Sequence, residues 1–264
     1  MDARSCDETE SDSDDPDNRA DPTVDEILAG YRDEGATVIR AQSSGSNVAS
    51  APHSDRGRHL YDWWSSREWL YPAVMQLAGP LRSDTFDALS LESGETVLDL
   101  GCGPGTNFER LREAVGSEGS VIGLDYSPGM VRRAAELVDE RDWSNVHVIL
   151  ADATETCGPA ETIDAVVTTF ALHTMPGAGA VIENVREVLR PGGRFVVLDS
   201  RPVTDGPARF VNPLYERVIA WAVNHQRGLD TQKLLTESFP AVRVVETYDA
   251  GAGYLGVATK DADR

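Results

Sequence analysis

Lysine is scarce in this sequence: Lys233 and Lys260 are the only two among 24 basic residues, and 44 acidic residues bring the formal net charge to -20. Nucleic-acid binding requires a basic surface that neutralises phosphates, so this balance argues against DNA or RNA as a partner. An acidic, lysine-poor surface is typical of proteins that work in concentrated salt, where screening removes the repulsion between like charges. We therefore predict a halophilic protein. The alternative is an acidic protein from an organism that lives at ordinary salt concentration.

Cysteine is scarce as well, and long apolar runs are absent. Cys6, Cys102 and Cys157 lie far apart with no CxxC spacing, and no histidine pair has the spacing of metal ligands. A disulfide framework and a structural zinc site are therefore not expected, and no metal site is predicted. No apolar run is long enough to cross a bilayer, and the first residues lack the basic and apolar regions of a secretory signal. We expect a cytoplasmic protein without a transmembrane segment.

Composition divides the chain into three parts. Residues 1–55 carry 14 acidic residues and four arginines, and such a segment buries too little apolar surface to offset the entropy cost of ordering. An acidic disordered tail is expected there, apart from a short helix around Val24 to Arg32. Residues 56–94 contain a cluster of aromatic residues, namely Tyr61, Trp63, Trp64, Trp69 and Tyr71. We predict a helical lid that contributes to a substrate site, with ordinary core packing as the alternative.

Residues 95–264 are predicted to form one α/β domain, because short β-branched runs alternate with amphipathic stretches. The predicted strands are Thr96 to Leu100, Ser120 to Asp125, Val146 to Ala151, Ile163 to Phe170 and Arg194 to Asp199. Helices are predicted at Asn107 to Val115, Pro128 to Glu140, Ala178 to Leu189 and near Pro213 to His225, with a turn over residues 190–193. Two further strands, Val242 to Asp249 and Tyr254 to Lys260, are joined too closely for a parallel crossover, so they should form an antiparallel hairpin.

The strongest motif is the stretch from Val97 to Asn107, which reads as a strand, a glycine-rich turn and the start of a helix. Gly101, Gly103 and Gly105 carry no side chains, so a ligand can approach the backbone amides of this turn closely. The spacing is G-x-G-x-G, whereas a dinucleotide fingerprint, G-x-G-x-x-G, would require glycine at position 106. A nicotinamide-dependent oxidoreductase therefore stays an alternative that the glycine spacing disfavours.

Acidic residues follow the next two predicted strands. Asp125 ends the second strand within Gly-Leu-Asp-Tyr-Ser-Pro-Gly-Met, and Asp152 follows the third within Ala-Asp-Ala-Thr. The carboxyl ends of parallel strands lie at one edge of a sheet, and an ionised aspartate there can accept hydrogen bonds from ribose hydroxyls. Each aspartate alone could serve as a loop or capping residue. Together with the glycine-rich turn after the first strand, however, the turns at Asp125 and Asp152 indicate a cofactor that contains a ribose.

These motifs resemble those of the class I, Rossmann-like, S-adenosylmethionine-dependent methyltransferases over about Tyr61 to Lys260. Two stretches, Gly-Leu-Asp-Tyr-Ser-Pro-Gly-Met and Leu-Arg-Pro-Gly-Gly-Arg-Phe-Val-Val-Leu-Asp, look most like quinone-biosynthesis C-methyltransferases and phospholipid N-methyltransferases. The resemblance implies a methyltransferase with a doubly wound sheet of seven strands, mostly parallel with a C-terminal antiparallel hairpin, in the order 3-2-1-4-5-7-6. The remaining alternative is a non-catalytic, S-adenosylmethionine-binding regulatory protein.

The same resemblance implies that residues 95–264 bind S-adenosylmethionine. If the aromatic segment is a lid, the acceptor is expected to be small and apolar, lipid-like or quinone-like. A lipid-like acceptor would bring the protein into peripheral contact with a membrane. The implied cofactor-binding residues are Asp99, Gly101, Gly103, Gly105 and Asn107 near the methionine portion, Asp125 at the ribose, Tyr126, Met130, Asp152 and Ala153 at the adenine, Phe170 and Ala171 beside the transferred methyl, and Tyr61.

His173 is the predicted catalytic residue, as a general base. It follows the fourth predicted strand at the cleft, and a histidine side chain ordinarily titrates near neutral pH. The alternatives are a hydrogen bond to the cofactor or a role in shaping the cleft. Methyl transfer from a sulfonium requires no nucleophilic side chain, so Cys102 is expected to pack behind the glycine-rich turn. The sequence does not identify the acceptor, the acceptor atom or the oligomeric state.

Overall fold

The computed structural model describes residues 21–39, 79–201, 229–248 and 253–262. These residues contain the helices α1 (Val24–Asp33), α2 (Gly79–Leu89), α3 (Phe108–Val115), α4 (Pro128–Glu140), α5 (Ala178–Val188) and α6 (Thr231–Ser238). The strands are β1 (Thr37–Ile39), β2 (Thr96–Leu100), β3 (Ser120–Asp125), β4 (Val146–Leu150), β5 (Ile163–Thr169), β6 (Leu189–Ser200), β7 (Ala241–Tyr248) and β8 (Gly253–Thr259). A short 3-10 helix covers Leu172–Thr174.

All of these strands belong to one sheet, in the order β1-β4-β3-β2-β5-β6-β8-β7. Strands β2 to β6 run parallel to one another, whereas β8 is antiparallel to both β6 and β7. The predicted doubly wound α/β fold is confirmed, as is the antiparallel pairing of the last two strands. Without β1, the sheet has the predicted order 3-2-1-4-5-7-6.

The prediction of seven strands is wrong by one, because β1 adds an eighth strand at the edge of the sheet. Thr37 to Ile39 pair antiparallel with residues 148–150 of β4. Three residues are too few to show the alternation that identifies a strand in a sequence, and β1 lies in the part of the chain that its composition assigned to the acidic tail. Partnership with β4, rather than local preference, makes this segment a strand.

Helix α1 also lies in the part assigned to the tail, and the short helix expected there is present. Thr23 caps it through a reciprocal capping box with Glu26, whose carboxylate accepts the Thr23 backbone N–H at 2.7 Å. Its apolar side buries Ile27, Leu28 and Tyr31 almost completely. Residues 21–39 are therefore part of the folded domain, because the acid-rich average over 55 residues conceals a short amphipathic helix.

The helices cover the sheet in two layers, each with its own apolar core. Helices α1, α5 and α6 contribute to the core on one face, and α2, α3 and α4 to the core on the other. Burial of β2 and β3 between these layers explains why their sequences are apolar nearly throughout. This sandwich fixes the carboxyl ends of the parallel strands, where the candidate site lies.

The predicted turn over residues 190–193 is wrong, since these residues lie within the long strand β6. The pairing of β5 with β6 passes from Ile163–Leu189 directly to Ala165–Arg194, so the extra residues form an irregularity in the strand. Gly192, at φ +77°, donates its backbone N–H to the carbonyl of Lys260 at 3.1 Å. This hydrogen bond to the neighbouring end of β8 keeps a Pro-Gly-Gly stretch, which usually forms a loop, within strand β6.

Several predicted elements fall outside the described residues: the tail at 1–20 and 40–55, the aromatic cluster from Tyr61 to Tyr71, and the helix near Pro213 to His225. Helix α6 was not predicted; Asp230 caps it by accepting the Lys233 backbone N–H at 3.0 Å. None of the described helices is long and apolar enough to cross a membrane.

Candidate active site

Acidic side chains collect where five neighbouring parallel strands end. Asp99 lies one residue before the end of β2, Asp125 ends β3, Asp152 follows β4, and Asp199 lies one residue before the end of β6. Strand β5 ends between β2 and β6, at Thr169, and is followed by Phe170. Ligands of open α/β sheets bind outside these carboxyl ends, so this edge is the candidate site.

The turn between β2 and α3 depends on its glycines. Gly101 has φ +70°, and a Cβ atom there would lie 2.6 Å from the Cβ of Ala171. Gly105 has φ +84°, and a Cβ atom there would lie 2.7 Å from the Phe108 ring. Larger residues would collide at both positions and would be strained by the left-handed backbone. The backbone of the turn can therefore approach both its neighbours and a ligand closely.

Asp125 joins this turn to the start of the next helix. Its Oδ2 atom accepts the backbone N–H of Gly103 at 2.9 Å, and its Oδ1 atom accepts that of Ser127 at 2.9 Å. Ser127 in turn caps α4 by accepting the Met130 backbone N–H at 3.3 Å. Because the carboxylate is only 9% exposed and bound on both oxygens, its position is fixed before any ligand arrives.

Asn107 links the ends of β2 and β5 beneath the turn. Its side-chain nitrogen donates to Oδ1 of Asp99 at 3.0 Å and to the hydroxyl of Thr169 at 3.3 Å. The residue is 2% exposed, and its amide oxygen has no hydrogen-bond partner within the described part of the chain. An unsatisfied buried acceptor is costly, so this oxygen suits the donor group of a ligand.

Asp152 and Ala153 lie in a well-defined turn after β4. Oδ1 of Asp152 accepts both the backbone N–H of Thr154 at 2.9 Å and its hydroxyl at 2.7 Å. The carbonyl of Ala153 accepts the side-chain N–H of Asn184, on α5, at 2.9 Å. Asp152 thus caps its own turn, which was the alternative to a role in cofactor binding. The same hydrogen bonds hold its carboxylate in place at the carboxyl end of β4.

His173 forms a buried pair with Asp199, a partner that the sequence analysis did not identify. The ring Nδ1 atom of His173 is hydrogen-bonded to Oδ1 of Asp199, and the backbone N–H of His173 donates to Oδ2 at 2.9 Å. The two residues are 4% and 0% exposed. Asp199 could have been found by the signal that identified Asp125, an acidic residue at the end of a predicted parallel strand.

Phe170 and Ala171 connect β5 to the His173 pair. Phe170 adopts φ +56°, an uncommon conformation for a residue with a bulky side chain, and such positions concentrate at functional sites. Its backbone N–H donates to the carbonyl of Leu198 at 2.8 Å, which ties the turn to β6. The turn brings the side chain of Ala171 against Gly101.

Cys102 is unsuited to be a nucleophile. Burial and, to a lesser extent, the nearby carboxylates of Asp125 and Asp99 raise the pKa of its thiol well above the usual value. The reactive thiolate form is therefore scarce near neutral pH. The side chain is 3% exposed and belongs to the apolar core on the α3 side of the sheet, as expected for packing behind the turn.

The polar groups at this edge match S-adenosylmethionine in hydrogen-bonding character. The cofactor presents donors at three points, namely its ammonium group, its ribose hydroxyls and its adenine amino group. The edge presents acceptors at three neighbouring strand ends: Asp99 and the Asn107 oxygen, then Asp125, then Asp152. Three carboxylates also favour a ligand that carries positive charges on nitrogen and sulfur. Tyr126, another predicted contact, is half-buried directly after β3, and the predicted contact Tyr61 lies outside the described residues.

Comparison with known proteins identifies the class. A family described as a methyltransferase domain matches residues 91–239, and the chain belongs to this family. It is an S-adenosylmethionine-dependent methyltransferase, which decides against the oxidoreductase alternative.

Three relatives illustrate the similarity. A demethylmenaquinone methyltransferase of Geobacillus is 29% identical over 187 residues, which cover 68% of this chain and 79% of the relative. A SAM-dependent methyltransferase structure from Aquifex aeolicus has a TM-score of 0.51 and 24% identity, over 67% of this chain and 87% of that one. The structure of Haemonchus contortus phospholethanolamine N-methyltransferase 2 was solved with phosphomonomethylethanolamine and S-adenosylhomocysteine. It has a TM-score of 0.53 and 14% identity, over 67% of this chain and 53% of that one.

Proposed function

We propose that this methyltransferase transfers a methyl group to a ring carbon of a small, apolar, quinone-like acceptor. The observation that carries this proposal is the buried pair of His173 and Asp199 beside Ala171, because methylation of a ring carbon must release a proton. The name of the Geobacillus relative supports the same class of acceptor. An acceptor with a lipid tail would be presented at a membrane surface, so peripheral membrane contact and an aromatic lid within residues 56–94 belong to the proposal.

The cofactor would be held by the acceptors at the strand ends. When bound, S-adenosylmethionine supplies a methyl group on a sulfonium. Asp125 would bind the ribose hydroxyls, since carboxylate oxygens accept more than one hydrogen bond each and those of Asp125 are already oriented. Asp152 and the backbone N–H of Ala153 would bind the adenine edge, with Tyr126 and Met130 packed beside the ring. Asp99 and Asn107 would bind the ammonium group above the glycine-rich turn.

His173 would act as the general base. If Nδ1 donates its proton to Asp199, the lone pair of the imidazole lies on Nε2, and the ring is held in one orientation. The ring carbon that accepts the methyl group must lose its proton, and that proton would pass to Nε2 of His173. Asp199 would then stabilise the protonated imidazole, as the aspartate of a Ser-His-Asp triad does for its histidine.

Positioning would provide most of the remaining rate enhancement, since the leaving group is already activated. Alignment of two reactants at the attack distance can supply on the order of 7 to 11 kcal/mol of the barrier. The fixed backbone at Gly101, Phe170 and Ala171 would define where the methyl group lies.

The acceptor assignment is tested by incubating the protein with methyl-labelled S-adenosylmethionine and a short-tailed demethylated naphthoquinol, in molar potassium chloride. We expect label in the ring of the product, detected by mass spectrometry. Asp125→Ala should lower transfer at low cofactor concentration by about 10- to 150-fold, because loss of hydrogen bonds to a charged group costs about 1.5 to 3 kcal/mol of cofactor affinity. No transfer to the quinol, with transfer to a phospholipid or an amine instead, would overturn the proposed acceptor.

The acidic, lysine-poor composition supports the further proposal of a protein that works in a cytoplasm of high salt. Exposed carboxylates repel one another in dilute buffer, and salt screens that repulsion. The thermal midpoint of unfolding should therefore rise by several degrees between 0.1 M and 3 M potassium chloride, as measured by circular dichroism. Sodium perchlorate at equal ionic strength separates screening from the preferential exclusion of salt. A midpoint that does not change with potassium chloride would contradict the halophilic assignment.

A further inference from the structure

Helix α1 covers the sheet in place of a crossover helix that the connection from β4 to β5 lacks. The connection between these strands, residues 151–162, contains turns and bends but no helix. Parallel strands are usually joined by a crossover helix that covers the sheet. Here α1, from the N-terminal side of the chain, contributes Ile27, Leu28 and Tyr31 to the core on that face. The loop that carries Asp152 and Ala153 is thus covered by an element more than a hundred residues away in sequence.

Tyr31 makes the central contact between α1 and this loop. Its hydroxyl donates a hydrogen bond to the backbone carbonyl of Cys157, and the side chain is completely buried. Burial raises the pKa of this hydroxyl well above the usual value, so it stays protonated and remains a donor. Gly158, at φ +114°, lies so close to the Tyr31 ring that a Cβ atom there would overlap it. The fit is therefore specific to this ring and this backbone.

Two further contacts flank Tyr31. Gly30 lies directly against the Pro159 ring, and a Cβ atom at Gly30 would overlap that ring as well. The hydroxyl of Thr156 donates to the carboxylate of Glu34, just beyond the end of α1, and also accepts the Gly158 backbone N–H at 2.9 Å. Three adjacent points of contact leave the loop little freedom to move relative to the helix.

These contacts reach Asp152 and Ala153 through a single turn. The carbonyl of Asp152 accepts the backbone N–H groups of Glu155 at 2.9 Å and Thr156 at 3.1 Å. The Cys157 thiol lies 3.7 Å from the carbonyl of Ala153 and donates to it. A displacement of residues 156–157 would therefore move the Asp152 carboxylate and the Ala153 amide.

We propose that Tyr31 is a positioning residue for cofactor recognition: by fixing residues 156–158, it holds Asp152 and the Ala153 amide in the geometry that distinguishes adenine from other purines. This inference rests on the proposed function, in which these two groups bind the adenine edge. Tyr31 is completely buried and is not among the residues proposed to bind the cofactor. Tyr31 should therefore affect the preference for adenine over other bases and leave binding of the rest of the cofactor unchanged.

The test compares binding of S-adenosylhomocysteine and S-inosylhomocysteine, in which an oxo group replaces the adenine amino group, by calorimetry on the full chain. The wild-type protein should prefer the adenosine compound. Tyr31→Phe keeps the ring but removes the hydroxyl, and should lower that preference by about two- to tenfold, the equivalent of one neutral hydrogen bond. Glu34→Ala removes a flanking contact from an exposed residue, so it should fold normally and lower the preference in the same direction.

Tyr254→Phe is the matched control, because Tyr254 is also fully buried and loses one hydroxyl contact, to Thr231 at 2.7 Å, on β8 near the opposite edge of the sheet. It should cost similar stability and leave the preference unchanged. Equal weakening of both ligands by Tyr31→Phe, or no weakening of either, would overturn the positioning role. Asp152→Ala distinguishes the two proposals: if it leaves the preference intact, the assignment of Asp152 to adenine fails, whereas loss of preference in Asp152→Ala alone contradicts only the role of Tyr31.

Discussion

Replacement of His173 by alanine is expected to lower kcat by about 10²- to 10⁴-fold, the usual contribution of a general base. The affinity for S-adenosylhomocysteine should change much less, because His173 is not among the residues proposed to hold the cofactor. The physical reason is the buried pair with Asp199, which holds the imidazole in one orientation. The measurement is kcat from steady-state methyl transfer to the labelled quinol product, with binding followed separately by calorimetry.

The matched control for this variant is His147→Ala. His147 is half-buried near the start of β4, away from the carboxyl ends of the strands, and should keep near-normal turnover. Added imidazole should restore part of the activity of His173→Ala if a base is what the variant lacks. Turnover that is unaffected by His173→Ala would instead assign the pair with Asp199 to anchoring the loop between β5 and α5.

Deletion of residues 1–39 is expected to unfold the domain or to lower its thermal midpoint severely. It removes β1 from the edge of the sheet and exposes the core that Ile27, Leu28 and Tyr31 cover. Burial of such side chains contributes about 1.5 to 3 kcal/mol each. Their sum is comparable with the whole free energy of unfolding of an ordinary domain, about 5 to 15 kcal/mol. The check is thermal and denaturant unfolding followed by circular dichroism.

Deletion of residues 1–20 is the control for that variant. It removes many of the acidic residues but ends before Thr23, whose capping box begins α1. We expect a thermal midpoint close to that of the full chain. A stable, cooperatively folded protein after deletion of residues 1–39 would show that α1 and β1 are dispensable, and the positioning role of Tyr31 would lose its basis.

Elements with strong local signals could be predicted from the sequence closely. Strands β2 and β3 and helix α4 have the predicted bounds. Continuous apolar runs identify strands buried on both faces, and Ser127 with Pro128 marks the start of α4 because serine can cap a helix and proline suits its first position. The Pro-Gly-Gly stretch in β6 shows the limit of this approach, since its cross-strand bonds override the local preference for a turn.

The sequence by itself determined the class of the fold and the identity of the cofactor. The positions of Gly101, Gly105 and Asp125 follow from local signals, because left-handed turns require glycine and strand ends follow from apolar periodicity. Only the tertiary structure decided that His173 pairs with Asp199, 26 residues away, and that Tyr31 bonds to Cys157, 126 residues away. Which residues pair in this way leaves no pattern in either segment, since the pairs form only when the packed sheet brings distant residues together.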